Sequence, residues 1–336
     1  MISRISSGTS QGAGPATSLM AGPTVETMDS PDLSITLGKM RLKNPVMVAS
    51  GTFGFGEEHR DFLDLNQLGA IIPKGVSLRP VAGNPPPRLF ETEGGIINAI
   101  GLQNPGLDVF VKEKMPFLRT LDTCLIVNFF GNSDNEYVEL AGRLNDVPGI
   151  SGLEMNVSCP NMSKGGIVFC TDPRMTYELV REVRKATSLT LVVKLSPNVT
   201  DITTMAKSAE DAGADAVSLV NTFRAMAINI HSRKPELGNV FGGLSGPAIK
   251  PIALRMVWEV TQAIKIPVIG IGGITTAEDA LEFVLAGASA VQVGTANLVR
   301  PTTGMEVVHG IRNYLVRYHM DRFYPLIGLS KKTLLS

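Results

Sequence analysis

The chain is 336 residues long, enough for two small domains or one large one, and α/β barrels routinely run past about 250 residues as one unit. Its 31 Lys and Arg balance its 31 Asp and Glu, so no basic face for nucleic acid or an acidic membrane is advertised, and a small-molecule ligand is expected. Cys124, Cys159 and Cys170 lack CxxC spacing and the four histidines lie far apart; this argues against a disulfide framework, a metal site or an iron–sulfur cluster held by this chain, and fits a reducing cytoplasm.

Residues 1–32 are rich in Ser, Thr, Gly and Pro, with neither the apolar core of a signal peptide nor a membrane-spanning run, and are expected to form a flexible tail. From Leu33 onward, short apolar runs alternate with segments of helical period, as in βα units around a parallel sheet. Eight strands are expected, ending at Val46 to Gly51, Ala70 to Lys74, Leu125 to Asn128, Leu153 to Asn156, Leu191 to Lys194, Val217 to Asn221, Val268 to Gly272 and Ala290 to Gly294. Between them, Asp201 to Ala214 lines Ile202, Met205, Ala206, Ala209 and Ala212 on one helical face with Gly213 as stop, and Ala277 to Ala286 repeats the pattern before Gly287. Eight such units predict a closed (β/α)8 TIM barrel over residues 33–325, followed by a C-terminal tail, 326–336. The long connections from Ser77 to Asn98 and from Thr222 to Gly246 exceed ordinary loop length and are expected to cover the C-terminal ends of the strands.

Chemistry concentrates at those ends. Cys159 follows the apolar strand Leu153-Glu154-Met155-Asn156 on a loop fixed by Pro160, placing a thiol between the amides Asn156 and Asn161, where its thiolate can act as base or nucleophile. Free cysteine is often simply buried and inert, and a strand-end Asn or Lys often only caps a turn or reaches solvent. Yet Lys74, Asn128, Asn156, Lys194 and Asn221 terminate five separate strands, and together they describe a site. Gly270-Ile271-Gly272-Gly273 and Gly294-Thr295 present bare backbone N–H groups after strands seven and eight, where barrels often hold a phosphate. Lysines, amides, a thiol and a phosphate site suit a reduced flavin; Lys194 as a Schiff-base lysine of a carbon–carbon lyase is the competing chemistry.

These motifs resemble the catalytic subunit of cytosolic class 1 dihydroorotate dehydrogenases, class 1B in particular, across most of Leu33 to Gly310. The likeness rests on Ala49-Ser50-Gly51, Asn84-Pro85-Pro86-Pro87-Arg88, Asn98 through Gly106, Asn156 through Asn161, Val193 through Asn198, Gly242 through Pro247 and Gly294 through Asn297. The resemblance implies an FMN across the barrel mouth, its phosphate near Gly272, Gly273, Gly294 and Thr295, its ring near Ser50, Lys74, Asn128, Asn156 and Lys194, with Ala49, Gly51, Gly75, Val220 and Gly246 as further contacts. Dihydroorotate would be held by Asn98, Asn156, Asn161, Asn221 and Thr222, its carboxylate near Lys74 and the backbone of Ile100, Gly101 and Leu102. Cys159 would take the C5 proton while hydride passes from C6 to flavin N5, and Lys194 would favour the charge on the reduced flavin.

Class 1B relatives pair with a second subunit carrying FAD and a 2Fe-2S cluster and pass electrons to NAD. The resemblance thus implies a homodimer core within a heterotetramer, with those two groups on the partner only. Class 1A relatives, homodimers that use fumarate, are the first alternative, and a pyrimidine-reducing dehydrogenase of the same superfamily, which usually has ferredoxin-type cysteines, is the second. A non-enzymatic scaffold would predict loss of the strand-end polar groups. Gly75-Val76-Ser77 after Lys74 departs from many relatives, implying a backbone-only contact to flavin there. Cys170 lies near the Cys159 loop, where oxidation could pair the two, and Cys124 reads as core.

Overall fold

The computed structural model describes residues 30–158, 160–161, 167–168 and 171–334. Eight strands close a parallel barrel: β1 (Val46–Val48), β2 (Ala70–Ile71), β3 (Cys124–Phe129), β4 (Gly152–Asn156), β5 (Thr190–Lys194), β6 (Ala216–Leu219), β7 (Val268–Ile271) and β8 (Ala290–Val293). Each pairs with the next and β8 returns to β1, so the order around the ring is the order in sequence. The barrel expected from the alternating pattern is therefore the fold. Every residue of β4, β5, β6, β7 and β8 is buried, because helices cover the outer face while side chains fill the inside, which is why these strands read as continuous apolar runs.

The outer layer contains α1 (Asp134–Asn145), α2 (Pro173–Ala186), α3 (Ile202–Asp211), α4 (Lys250–Ala263), α5 (Ala277–Leu285) and α6 (Thr303–Arg317). In α3 the buried residues are Ile202, Met205, Ala206 and Ala209, as the spacing predicts, and the Asp201 carboxylate caps the helix by accepting from the Thr203 N–H. A capping box between Thr276 and Asp279 starts α5. After these helices Gly213 and Gly287 adopt φ values of 97° and 112°, the left-handed conformation that lets the chain turn back to the barrel.

The N-terminal end of the barrel is closed by a hairpin of Ile35–Leu37 and Met40–Leu42, whose Ile35, Leu37, Met40 and Leu42 are buried. The Lys39 N–H donates to Thr190 Oγ1 at the start of β5. At the other end the two long connections meet. Leu89–Thr92 pairs with Gly95–Asn98, which pairs with Gly242–Ser245, which pairs with Phe223–Ala225, forming one four-stranded antiparallel sheet outside the barrel. The approach requires glycine: a Cβ on Gly95 would lie 1.9 Å from the Ser245 carbonyl oxygen.

Residues 1–29 of the expected tail, and Cys170, lie outside the described residues. Asp32, the last residue of that tail, is tied in: its N–H donates to the Asp321 carbonyl and its own carbonyl accepts from the Phe323 N–H. Of the expected C-terminal tail, Leu326 is buried and Leu329–Leu334 is helical. Cys124, expected in the core, is only partly buried; burial pushes its thiol above the ordinary range. No helix of the described residues is long and apolar enough to cross a membrane.

Candidate active site

A cavity of about 570 Å³ opens at the C-terminal end of the strands, a volume in the usual range for small-molecule sites. Strand ends supply its floor and walls. Ala49, Ser50 and Gly51 follow β1, Lys74 and Gly75 follow β2, Asn128 lies in β3, Asn156 and Lys194 end β4 and β5, and Val220, Asn221 and Thr222 follow β6. The external sheet and its flanking loops add Asn98, Ile100, Gly101, Leu102 and Gly246, and the exits of β7 and β8 add Gly272, Gly273, Gly294 and Thr295. All of these expected residues line one cavity. Cys159 lies outside the described residues; Asn161 pairs through its backbone with Ile167 in a short antiparallel ladder just beyond β4.

Local hydrogen bonds set the polar groups. Asn156 Oδ1 accepts from the Ser158 N–H at 3.1 Å and from Asn221 Nδ2 at 3.3 Å, while the Tyr137 hydroxyl holds the Asn156 carbonyl at 2.6 Å. Asn221 Nδ2 also reaches Ser158 Oγ at 3.0 Å, so two strand ends and the start of the Cys159 loop form one connected unit. Asn98 Nδ2 donates to the Gly243 carbonyl, which links it to the external sheet. Gly75 must be glycine for Asn128 to sit where it does, since a Cβ there would lie 2.6 Å from Asn128 Oδ1.

Charge in the cavity has one sign. Lys74, Arg88 and Lys194 line it, and no Asp or Glu does so among the described residues. Burial, and then the neighbouring Arg88 guanidinium, push the Lys74 ammonium below the ordinary lysine range, so an arriving anion relieves an unfavourable arrangement. At the β7 and β8 exits, the N–H groups of Gly273, Gly294 and Thr295 meet no backbone acceptor among the described residues, and Gly272 lines the cavity beside them. These half-buried donors converge on one end of the cavity and fit a phosphate, whose oxygens accept several such bonds at once. Lys194 Nζ, the group the Schiff-base alternative would use, lies 3.8 Å from the fully buried Glu154 carboxylate.

Residues 32–317 match the family model described as dihydroorotate dehydrogenase. The chain belongs to the dihydroorotate dehydrogenase family. Among the family's members, it is 58% identical over 301 residues to the catalytic subunit of dihydroorotate dehydrogenase B (NAD(+)) from Geotalea uraniireducens, covering 90% of this chain and 99% of the relative. The subunit of the same name from Geobacter sulfurreducens is 59% identical with the same coverage. Both names specify NAD(+), in keeping with the class 1B motifs, and the fumarate-linked alternative is set aside. The fold is shared with the crystal structure of dihydroorotate dehydrogenase from Eimeria tenella in complex with ferulenol, at a TM-score of 0.75, 24% identity and coverage of 91% of this chain and 90% of that one.

Several functional neighbours escaped the sequence reading as site residues. Arg88 is visible only as the end of a proline-rich motif, yet it lines the cavity beside Lys74. Part of the Asn98 to Gly106 motif is architectural: Asn104 accepts from the Gly106 and Ser77 N–H groups and donates to Ser77 Oγ and the Leu102 carbonyl, pinning the cavity loop to the chain leaving β2. Glu154 and Gln292 sit beneath the floor inside the barrel, and their signal was a polar residue within an apolar strand.

Proposed function

We propose that this chain oxidises (S)-dihydroorotate to orotate, in the biosynthesis of pyrimidines, on a bound FMN. The observation that carries the reading is the pairing of a cavity lined by three cations and, among the described residues, no acid, with the backbone donors of Gly273, Gly294 and Thr295, which meet no backbone acceptor among those residues, at one end. The donors of Gly272, Gly273, Gly294 and Thr295 hold the phosphate, and Ser50, Lys74, Asn128, Asn156 and Lys194 surround the ring. Ala49, Gly51, Gly75, Val220 and Gly246 complete that contact through backbone and apolar surface. FMN, when bound, supplies the acceptor for the hydride that leaves C6 of the substrate.

The chain's own residues do the remainder. Lys74 and the backbone of Ile100, Gly101 and Leu102 take the substrate carboxylate, in keeping with a half-buried lysine that has Arg88 beside it and no carboxylate partner among the described residues. Asn98, Asn156, Asn161, Asn221 and Thr222 match the amide edges of the ring, orienting C5 toward the loop after β4. Cys159 on that loop removes the C5 proton, the C5–H electron pair becoming the C5–C6 double bond as hydride departs from C6. The Lys194 ammonium stabilises negative charge arising at the cavity floor.

The electrons pass to NAD through a partner subunit that brings FAD and a 2Fe-2S cluster, in a cytoplasmic heterotetramer built on a homodimer of this chain. The reading is supported by the relatives' designation as catalytic subunits and by the lack of clustered cysteines in the sequence. The deciding experiment is the visible spectrum of the purified protein before and after anaerobic dihydroorotate. A flavin band that bleaches is expected; a protein unable to bind FMN sinks the proposal, and bleaching by other pyrimidines alone transfers it to the pyrimidine-reducing alternative.

A further inference from the structure

A carboxylate occupies the middle of the barrel. Glu154, in β4, is fully buried, and its Oε2 accepts from Asn128 Nδ2 on β3 at 2.7 Å and lies 3.8 Å from Lys194 Nζ on β5. Its Oε1 accepts from Ser218 Oγ on β6 at 2.8 Å and from Gln292 Nε2 on β8 at 2.6 Å. In the ring of eight, β8 stands opposite β4, so this one side chain spans the interior. All four neighbours present donors to this side chain, and Gln292 leaves its own Oε1 without a partner among the described residues while donating to it.

Two of those neighbours, Asn128 and Lys194, line the cavity; Glu154, Ser218 and Gln292 do not. At 3.8 Å the lysine contact is one of charge rather than a hydrogen bond, and the ammonium makes no hydrogen bond among the described residues while it lines the cavity. A core built for stability alone gains little from a buried ion pair, since apolar residues of the same volume commonly do as well or better.

We infer that Glu154 is the positioning residue of this site: from inside the barrel it fixes the Asn128 carboxamide and the Lys194 ammonium at the cavity floor and balances the lysine's positive charge there. The inference rests on the flavin reading, because the property it sets is the net charge beneath the ring, and hence how readily bound FMN accepts electrons.

The test is the midpoint potential of FMN bound to four proteins at one pH: the natural chain, E154Q, K194M and the double variant. E154Q leaves the lysine unbalanced and is expected to favour reduced FMN by at least about tenfold, about 30 mV for a two-electron couple. K194M shifts it the opposite way, and the double variant, with both charges gone, returns to within about threefold of the natural chain. An E154Q potential equal to that of the natural chain, or a double variant equal to K194M, overturns the inference. Should E154Q fail to fold, the comparison of K194M with the double variant decides it, since that pair leaves no unpaired buried cation. A natural chain that takes up no FMN sinks the flavin reading instead. Thermal unfolding of the four flavin-free proteins then tests the pair by itself: E154Q is expected to lower Tm more in the natural background than when K194M is present, and equal losses overturn the pairing.

Discussion

The two ends of the cavity recognise their ligands by different means. Over β7 and β8 the lining is the backbone of Gly272, Gly273, Gly294 and Thr295; over β2 to β6 the polar groups are the side chains of Lys74, Asn128, Asn156, Lys194 and Asn221. The first end depends on what is missing. Gly273 has φ of 73°, and a Cβ there would lie 2.7 Å from Lys250 Cβ and 2.9 Å from the Lys250 nitrogen, so any side chain must displace the start of α4. The second end depends on the chemistry of each side chain, held by mutual hydrogen bonds such as those joining Asn156, Ser158 and Asn221. Damage to the backbone end should therefore release the cofactor's phosphate, and loss of the base beside the side-chain end should remove turnover and leave the cofactor in place.

The largest effect is expected at the side-chain end. Cys159→Ala should slow anaerobic reduction by dihydroorotate near neutral pH by about 10²–10⁴-fold, the usual contribution of a general base, with FMN still bound. Stopped-flow bleaching measures the rate and the absorbance ratio at flavin and protein bands measures occupancy; unchanged reduction removes Cys159 as base, and lost FMN breaks the division between the ends. Gly273→Ala should act the other way. Left-handed backbone costs an alanine about 1–2 kcal/mol before any clash, and 1.4 kcal/mol is tenfold in affinity, so the FMN dissociation constant should rise about five- to thirtyfold. Fluorescence titration of the flavin-free protein checks it, and native affinity would show that the phosphate does not sit on these amides.

Much of this was legible in the sequence because a barrel places a strand's last residues at one mouth. An apolar run ending in Asn156 or Lys194 therefore announces both the strand and the site, and the glycine pairs after β7 and β8 do the same for the backbone end. Residues that act through others were not legible. Glu154 and Gln292 look like flaws in apolar strands, and only the ring geometry, which brings β8 opposite β4, shows them meeting. Arg88 needed the pairing of two distant connections into one sheet, a long-range contact with no local periodicity to mark it. The chain leaving β2 is a milder case: the strand itself ends at Ile71, three residues before Lys74, whose N–H instead bonds the Gly54 carbonyl.

The smallest effect probes what holds the backbone end from behind. Asp279 Oδ2 accepts from the Thr275 N–H at 2.9 Å, the Thr275 hydroxyl at 2.7 Å and the Thr276 N–H at 3.0 Å, while Oδ1 accepts from Lys250 Nζ at 2.6 Å. It thereby joins the segment after Gly273 to the start of α4. Burial pushes this carboxyl's pKa up, but the bonds from Lys250, Thr275 and Thr276 outweigh it and bring the pKa to about 2, below the ordinary 3.8. A folded-state pKa below the unfolded one means stability that is present in full above 3.8 and is lost as pH falls through 3.8 toward 2. Asp279→Asn should thus lower stability at neutral pH by about 1 kcal/mol or less once solvent screening is allowed for, at most about 2–4 °C in Tm. The gap to the natural chain should narrow as acid protonates the natural carboxyl. A gap independent of pH between neutrality and pH about 2 would mean that the hydrogen bonds, rather than the charge, secure this loop. Because the Asp279 carboxylate bonds the loop behind the glycines and does not line the cavity, the loss of FMN affinity should be smaller than for Gly273→Ala; an equal loss would mean that the glycine amides are ordered only by the carboxylate behind them.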